Sequence, residues 1–351
     1  MAAERLYRSL PVKYRTAAKD KSQKKPYVVL IVDDAETDRT TYRRYIEAAA
    51  VGSVTFVEAE SGEYGLALCQ QLSPSLILLD YRLPDIDGLE FLQALKSQAR
   101  VAPPVIMLTG QGNEQAAVEA MKLGARDYLV KGELSATSLS HAVTRVQSQQ
   151  ALQSLMSRQE RAQALMMNVS QQIAQADSLK EIMDTLVVGT REILACDRVL
   201  VYQFAPDLSG MAVAESVLPK WRAAISKKNY RRIEDNCFKQ ESLNKYQQGY
   251  ITAIENVAKA DFSDCHLEML KRFDVKANLA VPILVYNHQS DACDSSTSTV
   301  DRKVWGLLIA HSCQAPRSWR EDEMTLLSSL ALQLAIAIRQ TSLFYSSDSM
   351  A

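Results

Sequence analysis

From Tyr27 to about Gln147, short apolar runs alternate with stretches whose apolar residues recur at helical spacing. Buried parallel strands read as continuous apolar runs, and the helices between them read at a 3.6-residue period. The pattern therefore predicts βα units around a parallel sheet. The runs are Tyr27–Val32, Ser75–Leu79, Val105–Leu108 and Asp127–Val130. Helical patterns cover roughly Thr37–Ala49, Gly62–Leu72, Gly88–Gln98, Asn113–Leu123 and Ser135 onward. Past Ser170 the order changes. A helix over Ser178–Leu194 leads into strands at Arg198–Phe204 and Met211–Ser216, and a helix-rich middle of about 60 residues follows. Strands return at Ala277–Tyr286 and Val304–His311, and an amphipathic helix closes the pattern at Glu321–Gln340. Strands framing a helical insertion predict an antiparallel sheet with helices segregated to its faces. Residues 287–303 are rich in Ser, Thr and Asp and predict a solvated loop.

The joint between the halves, Ser135 to about Gln175, contains neither Gly nor Pro, so nothing breaks a long helix. Leu152, Leu155, Ala162, Met166, Val169 and Ile173 fit an a/d register, with Gln159 at one a position. A parallel homodimer through this helix and those of the C-terminal domain is expected. The competing reading is one helix packed on its own domain. The expected organisation is a basic arm at 1–26, a doubly wound five-stranded α/β domain at 27–148, a helical linker at 149–175, an α+β domain at 176–342 and a tail at 343–351.

Composition narrows the class. Hydrophobic residues make up 47% of 351, and the formal net charge is −1, which describes a globular protein with no bulk affinity for nucleic acid. The first 26 residues differ: eight basic side chains against Glu4 and Asp20 leave a net +6, read as a solvated arm. No apolar signal region opens the chain. The run Leu326–Ile338, interrupted by Ser328, Ser329 and Gln333, is too short and polar to span a bilayer. The six cysteines lack paired spacing and read as free thiols in a reducing cytosol, so a cytoplasmic protein with no membrane contact is expected.

Candidate chemistry in the first half gathers at the carboxyl ends of the strands, where sites form in open α/β sheets. Asp33, Asp34, Asp80, Thr109 and Lys131 all fall there. Three converging carboxylates repel one another unless a divalent cation offsets them, and oxygen-rich, incomplete coordination suits Mg²⁺. A carboxylate could then accept a phosphoryl group. Asp33-Asp34, the stretch Asp80-Tyr81-Arg82-Leu83-Pro84-Asp85-Ile86-Asp87-Gly88, Thr109-Gly110, and Tyr128 ahead of Lys131 together resemble the response-regulator receiver family. The resemblance implies Asp80 as phosphoacceptor, Asp34 on Mg²⁺ directly and Asp33 through water. It also implies Thr109 and Tyr128 as a switch pair, Lys131 on the phosphate, and a histidine kinase or phosphotransfer protein as partner. Gly132 stands where the family usually has proline, which makes a cis peptide after Lys131 less favoured.

The second half carries Asp235-Asn236-Cys237-Phe238 and Asp264-Cys265-His266, with thiols 28 residues apart and no C-x-x-C spacing. The segments Asp197-Arg198-Val199, Cys265-His266-Leu267, 275–283, Trp305 to His311 and the Pro316-Arg317-Ser318-Trp319 turn resemble cyanobacteriochrome GAF domains. The resemblance implies a bilin, phycocyanobilin or phycoviolobilin, held by a thioether to Cys265, with His266 packed beside it. Asp235 would face the pyrrole N–H groups, Tyr246 and Lys245 the bilin or a propionate, and His311 the outer ring. Cys237 would add reversibly to the central methine carbon, with Cys293 a competitor for that role. Cys196 and Cys313 read as small buried hydrophobes. The expected function is photosensory two-component signalling; a small-ligand GAF sensor and an apo dimerisation scaffold are the alternatives. No kinase helix, cyclase or DNA-binding pattern is visible, so no enzymatic activity is expected.

Overall fold

The computed structural model describes residues 14–16, 27–48, 54–98, 102–110, 114–207, 209–225, 232–233, 240–260, 262–286 and 302–347. They divide into two compact units, one spanning 23–156 and the other combining 1–22 with 157–351. The chain enters through a short strand, β1 (Tyr14–Thr16), which belongs to the second unit.

The first unit runs β2 (Tyr27–Val32), α1 (Glu36–Ala48), β3 (Val54–Ala59), α2 (Gly62–Leu72), β4 (Leu76–Asp80), α3 (Gly88–Gln98), β5 (Val105–Thr109), α4 (Glu114–Leu123) and β6 (Asp127–Val130). Its strands form a parallel sheet in the order β3-β2-β4-β5-β6. Every residue of β4 and β5 is buried, because helices cover both faces. Leu30, Val32, Ile77, Leu79 and Met107 point to one face with Phe91 and Leu95 of α3. Val29, Ile31, Leu78, Ile106 and Leu108 point to the other with Tyr42 and Ile46 of α1. β3 was absent from the apolar-run pattern because it is a sheet edge, and most of its residues are only half-buried.

A single helix, α5 (Ala136–Ala174), follows as its missing Gly and Pro foretold. Its two ends differ. Leu139, Ala142, Val143 and Val146 pack into the first unit's core. Leu165, Val169 and Ile173 pack into the second unit's core, with Ala162 and Met166 partly buried beside them. Half of the expected dimer seam is therefore occupied by the chain's own domain. Leu152 and Leu155 remain exposed.

The second unit continues with α6 (Leu179–Leu194), β7 (Arg198–Phe204), β8 (Gly210–Val217), β9 (Arg232–Ile233), α7 (Gln240–Gln247), β10 (Ile251–Ile254), α8 (Asp264–Arg272), β11 (Ala277–Tyr286), β12 (Arg302–Ser312) and α9 (Glu321–Ser347). The sheet order is β1-β10-β11-β12-β7-β8-β9, antiparallel except that β1 joins β10 in parallel. Thus the stretch read as helix-rich supplies two strands, and three residues of the expected solvated arm form an edge strand. Period-two alternation splits the core. Val199, Val201, Leu279, Val281, Ile283 and Leu308 face α5, α6 and α9. Leu200, Tyr202, Ala280 and Leu307 face the opposite way, with Tyr246 of α7. Among the described residues no helix is long and apolar enough to cross a membrane.

Candidate functional site

In the first unit the strand ends bring Asp33, Asp34 and Asp80 together, with carboxylate oxygens from all three lying within 4.8 Å of one another. Asp33 and Asp80 are buried and Asp34 is exposed, which leaves one side of the cluster open. The loop after β4 is fixed around this cluster. Asp87 accepts hydrogen bonds from the Leu89 and Glu90 amides at 2.9 and 2.8 Å, which starts α3. Asp85 accepts from the Gly62 and Glu63 amides, both at 2.8 Å, pinning the loop to α2. At Gly88 a Cβ would lie 3.0 Å from the Asp80 carbonyl oxygen, so glycine lets the loop close against the acid. Asp85 and Asp87 thus shape the loop rather than join the cluster.

Lys131, in the turn after β6, reaches into the cluster. Its ammonium lies 2.8 Å from Asp33, 2.9 Å from Asp80 and 3.0 Å from Asp38. Burial works against the ammonium, but its hydrogen bonds to Asp33 and Asp80 outweigh this and raise its pKa. Burial raises the Asp80 pKa, and the hydrogen bond from Lys131 opposes the rise. The peptide bond after Lys131 is trans. Thr109 is buried at the end of β5, while Tyr128 is 44% exposed, so the proposed switch pair is split between site and solvent. Asp38 and Tyr42 were not foreseen. Both project from α1, and the Tyr42 hydroxyl lies 3.4 Å from Asp33 and 3.3 Å from Asp38. Three hard carboxylates around an open side, with a lysine beside them, fit Mg²⁺ and a phosphoryl group.

In the second unit Cys265 and His266 stand in the first turn of α8, with Cys265 exposed and the His266 ring 4.7 Å from that of Phe262. Cys265 is disulfide-bonded. The reading of six free thiols therefore fails at that position, while Cys69, Cys196 and Cys313 are free and buried as small apolar groups. Burial pushes the Cys196 thiol up to about 12 and that of Cys313 to about 11, away from thiolate chemistry.

His311, on β12, is buried and held well below its ordinary pKa by burial, by the Arg198 guanidinium and by the charge of His266. Arg198 is wholly buried. It pairs with Glu215 at 3.0 Å, donates to the Phe273 carbonyl at 3.2 Å and approaches the His311 ring at 3.4 Å. Glu215 is in turn fixed by the Ala224 and Ile225 amides. This arginine supports the end of α8 and the base of His311 together, a role that the Asp197-Arg198-Val199 segment did not reveal. Asn278, directly across the ladder from His311, has a buried Oδ1 with no hydrogen-bond partner. It shares a sheet face with Ala280, the face that also carries Leu200 and Tyr202.

Tyr246 is buried on this face, its hydroxyl donating to Thr252 at 3.0 Å, and Lys245 is half-buried beside it on α7. Asp235, Cys237 and Cys293 lie outside the described residues. An apolar, aromatic face with an orphaned acceptor fits a flat conjugated ligand carrying N–H donors.

Residues 29–144 match the response regulator receiver domain, and 178–338 match the GAF domain. A putative methyl-accepting chemotaxis protein of Synechocystis sp. is 32% identical over 171 residues, covering 49% of this chain and 15% of the relative. The circadian input-output histidine kinase CikA of the same organism is 31% identical over 51% of this chain and 24% of its own length. The chain thus spans a quarter or less of these relatives. Among solved structures, the blue-light absorbing form of the Thermosynechococcus elongatus PixJ GAF domain is 36% identical, covering 48% of this chain and 91% of that one, with a TM-score of 0.39. A far-red absorbing dark state with bound biliverdin IXa is 26% identical over 51% and 99%, with a TM-score of 0.41.

Proposed function

We propose that this chain, which carries a response-regulator receiver domain followed by a GAF domain, is a cytoplasmic photosensory regulator of the cyanobacteriochrome kind, whose GAF half holds a bilin and whose receiver accepts a phosphoryl group. The observation that carries the reading is the placement of Cys265 and His266 in one helical turn, with His266 near enough to His311 to shift its proton affinity, and His311 across the ladder from Asn278, whose Oδ1 has no hydrogen-bond partner. When bound, a linear tetrapyrrole would supply light absorption and a double bond that isomerises. The chain's residues would do the rest. Cys265, once reduced, would anchor the ligand. Leu200, Tyr202 and Tyr246 would exclude water from its rings, and neutral His311 would offer a donor or acceptor without an added charge. Asp235 would face the pyrrole N–H groups, and Cys237 or Cys293 would supply the reversible second thioether.

In the receiver, Asp33, Asp34 and Asp80 would hold Mg²⁺, which lowers the repulsion between carboxylates and incoming phosphate. The Asp80 carboxylate would attack the donor's phosphorus, forming an O–P bond as the donor's bond to phosphorus breaks, while Lys131 neutralises the new charge. A histidine kinase or phosphotransfer protein would be the donor. The chain would act by switching and binding rather than turnover, as a homodimer through Leu152, Leu155 and the GAF helices.

Coexpression with a bilin-producing pathway, followed by denaturing electrophoresis after thiol reduction, tests the light half. Zinc-dependent fluorescence on the wild-type band and none on Cys265→Ala is expected. A colourless wild type overturns the reading.

A further inference from the structure

An ammonium group has three N–H donors, and in this receiver all three directions of Lys131 end on carboxylates: Asp33 at 2.8 Å, Asp80 at 2.9 Å and Asp38 at 3.0 Å. A phosphoryl group on Asp80 can be held by Lys131 only if one of these contacts is released. Asp80 and Asp33 cannot be the ones given up cheaply. Asp80 is the acceptor itself, and Asp33 is wholly buried with Lys131 as its cationic partner. Asp38 is different. Its side chain is 39% exposed, it projects from the first turn of α1 rather than from a strand end, and it lies outside the triad of carboxylates that converge for a metal ion. Tyr42, buried beneath it, places a hydroxyl 3.3 Å from the same Asp38 oxygen that Lys131 contacts, and so fixes its position.

We infer that Asp38 is a positioning residue that occupies, in the unphosphorylated receiver, the lysine contact a phosphoryl oxygen takes up on activation. The carboxylate acts as a built-in competitor. It holds Lys131 aimed at the pocket, and it raises the free energy of the phosphorylated state twice over: Lys131 must let it go, and its negative charge then stands beside a phosphoryl dianion. Nothing in the transfer chemistry requires an acid here. Its effect is to set how readily the receiver fills and how long it stays filled. The inference rests on the reading of Asp80 as phosphoacceptor.

The test uses the full chain with Mg²⁺ and beryllofluoride, a non-hydrolysable mimic of the phosphoryl group, with affinity read by fluorine NMR and calorimetry. Asp38→Ala is expected to bind beryllofluoride about three- to tenfold more tightly than wild type, since removing one like charge at this range in a half-buried site is worth that order of change. Asp38→Asn keeps the shape and removes only the charge, so it should move the same way. It also serves if the alanine variant folds poorly. Mg²⁺ titrated alone should bind neither variant more tightly than wild type, since removing a carboxylate cannot favour a cation. A gain with beryllofluoride is therefore specific to the phosphoryl mimic, whereas a general loss of structure would weaken both. The gain should shrink in a Lys131→Ala background, because the competition is for that lysine. Unchanged or weaker beryllofluoride binding in both Asp38 variants, with the wild type binding normally, overturns the inference alone. Failure of wild type and variants alike to bind overturns the phosphoacceptor reading and this inference with it. Binding only by the variants supports both.

Discussion

The buried histidine on β12 has a consequence that can be read in solution. His311 is held neutral in the fold by burial, by Arg198 and by His266, so its folded pKa lies below the 6.5 of a free imidazole. Between the two values the unfolded chain binds a proton that the folded chain refuses. Stability is therefore full above about pH 6.5–7 and falls as the pH drops, by at most about 1.4 kcal/mol per unit. Urea unfolding of the wild type at pH 7.5 and 5.5 should show that loss, and His311→Gln should flatten it. Equal slopes in the two proteins would mean that the imidazole takes its proton at no cost. Much of this residue-scale layout was legible in the sequence. Asp33, Asp34, Asp80 and Lys131 sit at strand ends, and strand ends can be found from hydrophobic runs. Asp38 was not legible, because its approach to Lys131 depends on where the first turn of α1 points. Arg198 was hidden for a similar reason: a buried guanidinium shared among a carboxylate, a carbonyl and an imidazole looks, in sequence, like any charged residue opening a strand.

At the scale of elements, two contacts on α6 decide how firmly the linker helix is seated. Ser178 caps its N-terminus, accepting from the Glu181 amide, while the Glu181 carboxylate accepts from the Ser178 amide at 3.2 Å. Ser178→Ala should lower stability by about 1 kcal/mol in urea unfolding, with Ser178→Asn close to neutral. Farther along, Gly189 meets α5: a Cβ there would lie 2.6 Å from a Leu165 methyl. Gly189→Val should cost about 1–3 kcal/mol by overpacking this crossing, and Leu165→Ala in the same chain should restore part of it. Full additivity of the two changes would show that the helices do not touch there. The long helix itself was legible from its lack of breakers. Which of its apolar positions face the GAF core and which face solvent was not, since a heptad register and a single-domain packing stripe coincide over so short a span. The strand Ile251–Ile254 escaped for want of length, four residues between helical patterns.

At the scale of the whole molecule, the GAF fold is discontinuous in sequence. Its edge strand Tyr14–Thr16 pairs with Ile251–Ala253, and the entire receiver lies between them along the chain. Removing the arm should bare the backbone of β10, and unpaired strand edges associate. A chain beginning at Tyr27 is expected to form larger species at high concentration by light scattering, where the full chain does not; identical behaviour would show that the edge needs no cover. The same arrangement sets an order of events during synthesis. The strand Tyr14–Thr16 is made before its partner, Ile251–Ile254, which follows only after the receiver and the linker helix are complete. The receiver can thus fold while the arm is still single, and the arm's pairing becomes one of the last contacts to close. A chain whose synthesis stops early would then carry a finished receiver and an unpaired Tyr14–Thr16 strand, a state in which that strand is open to another molecule's sheet.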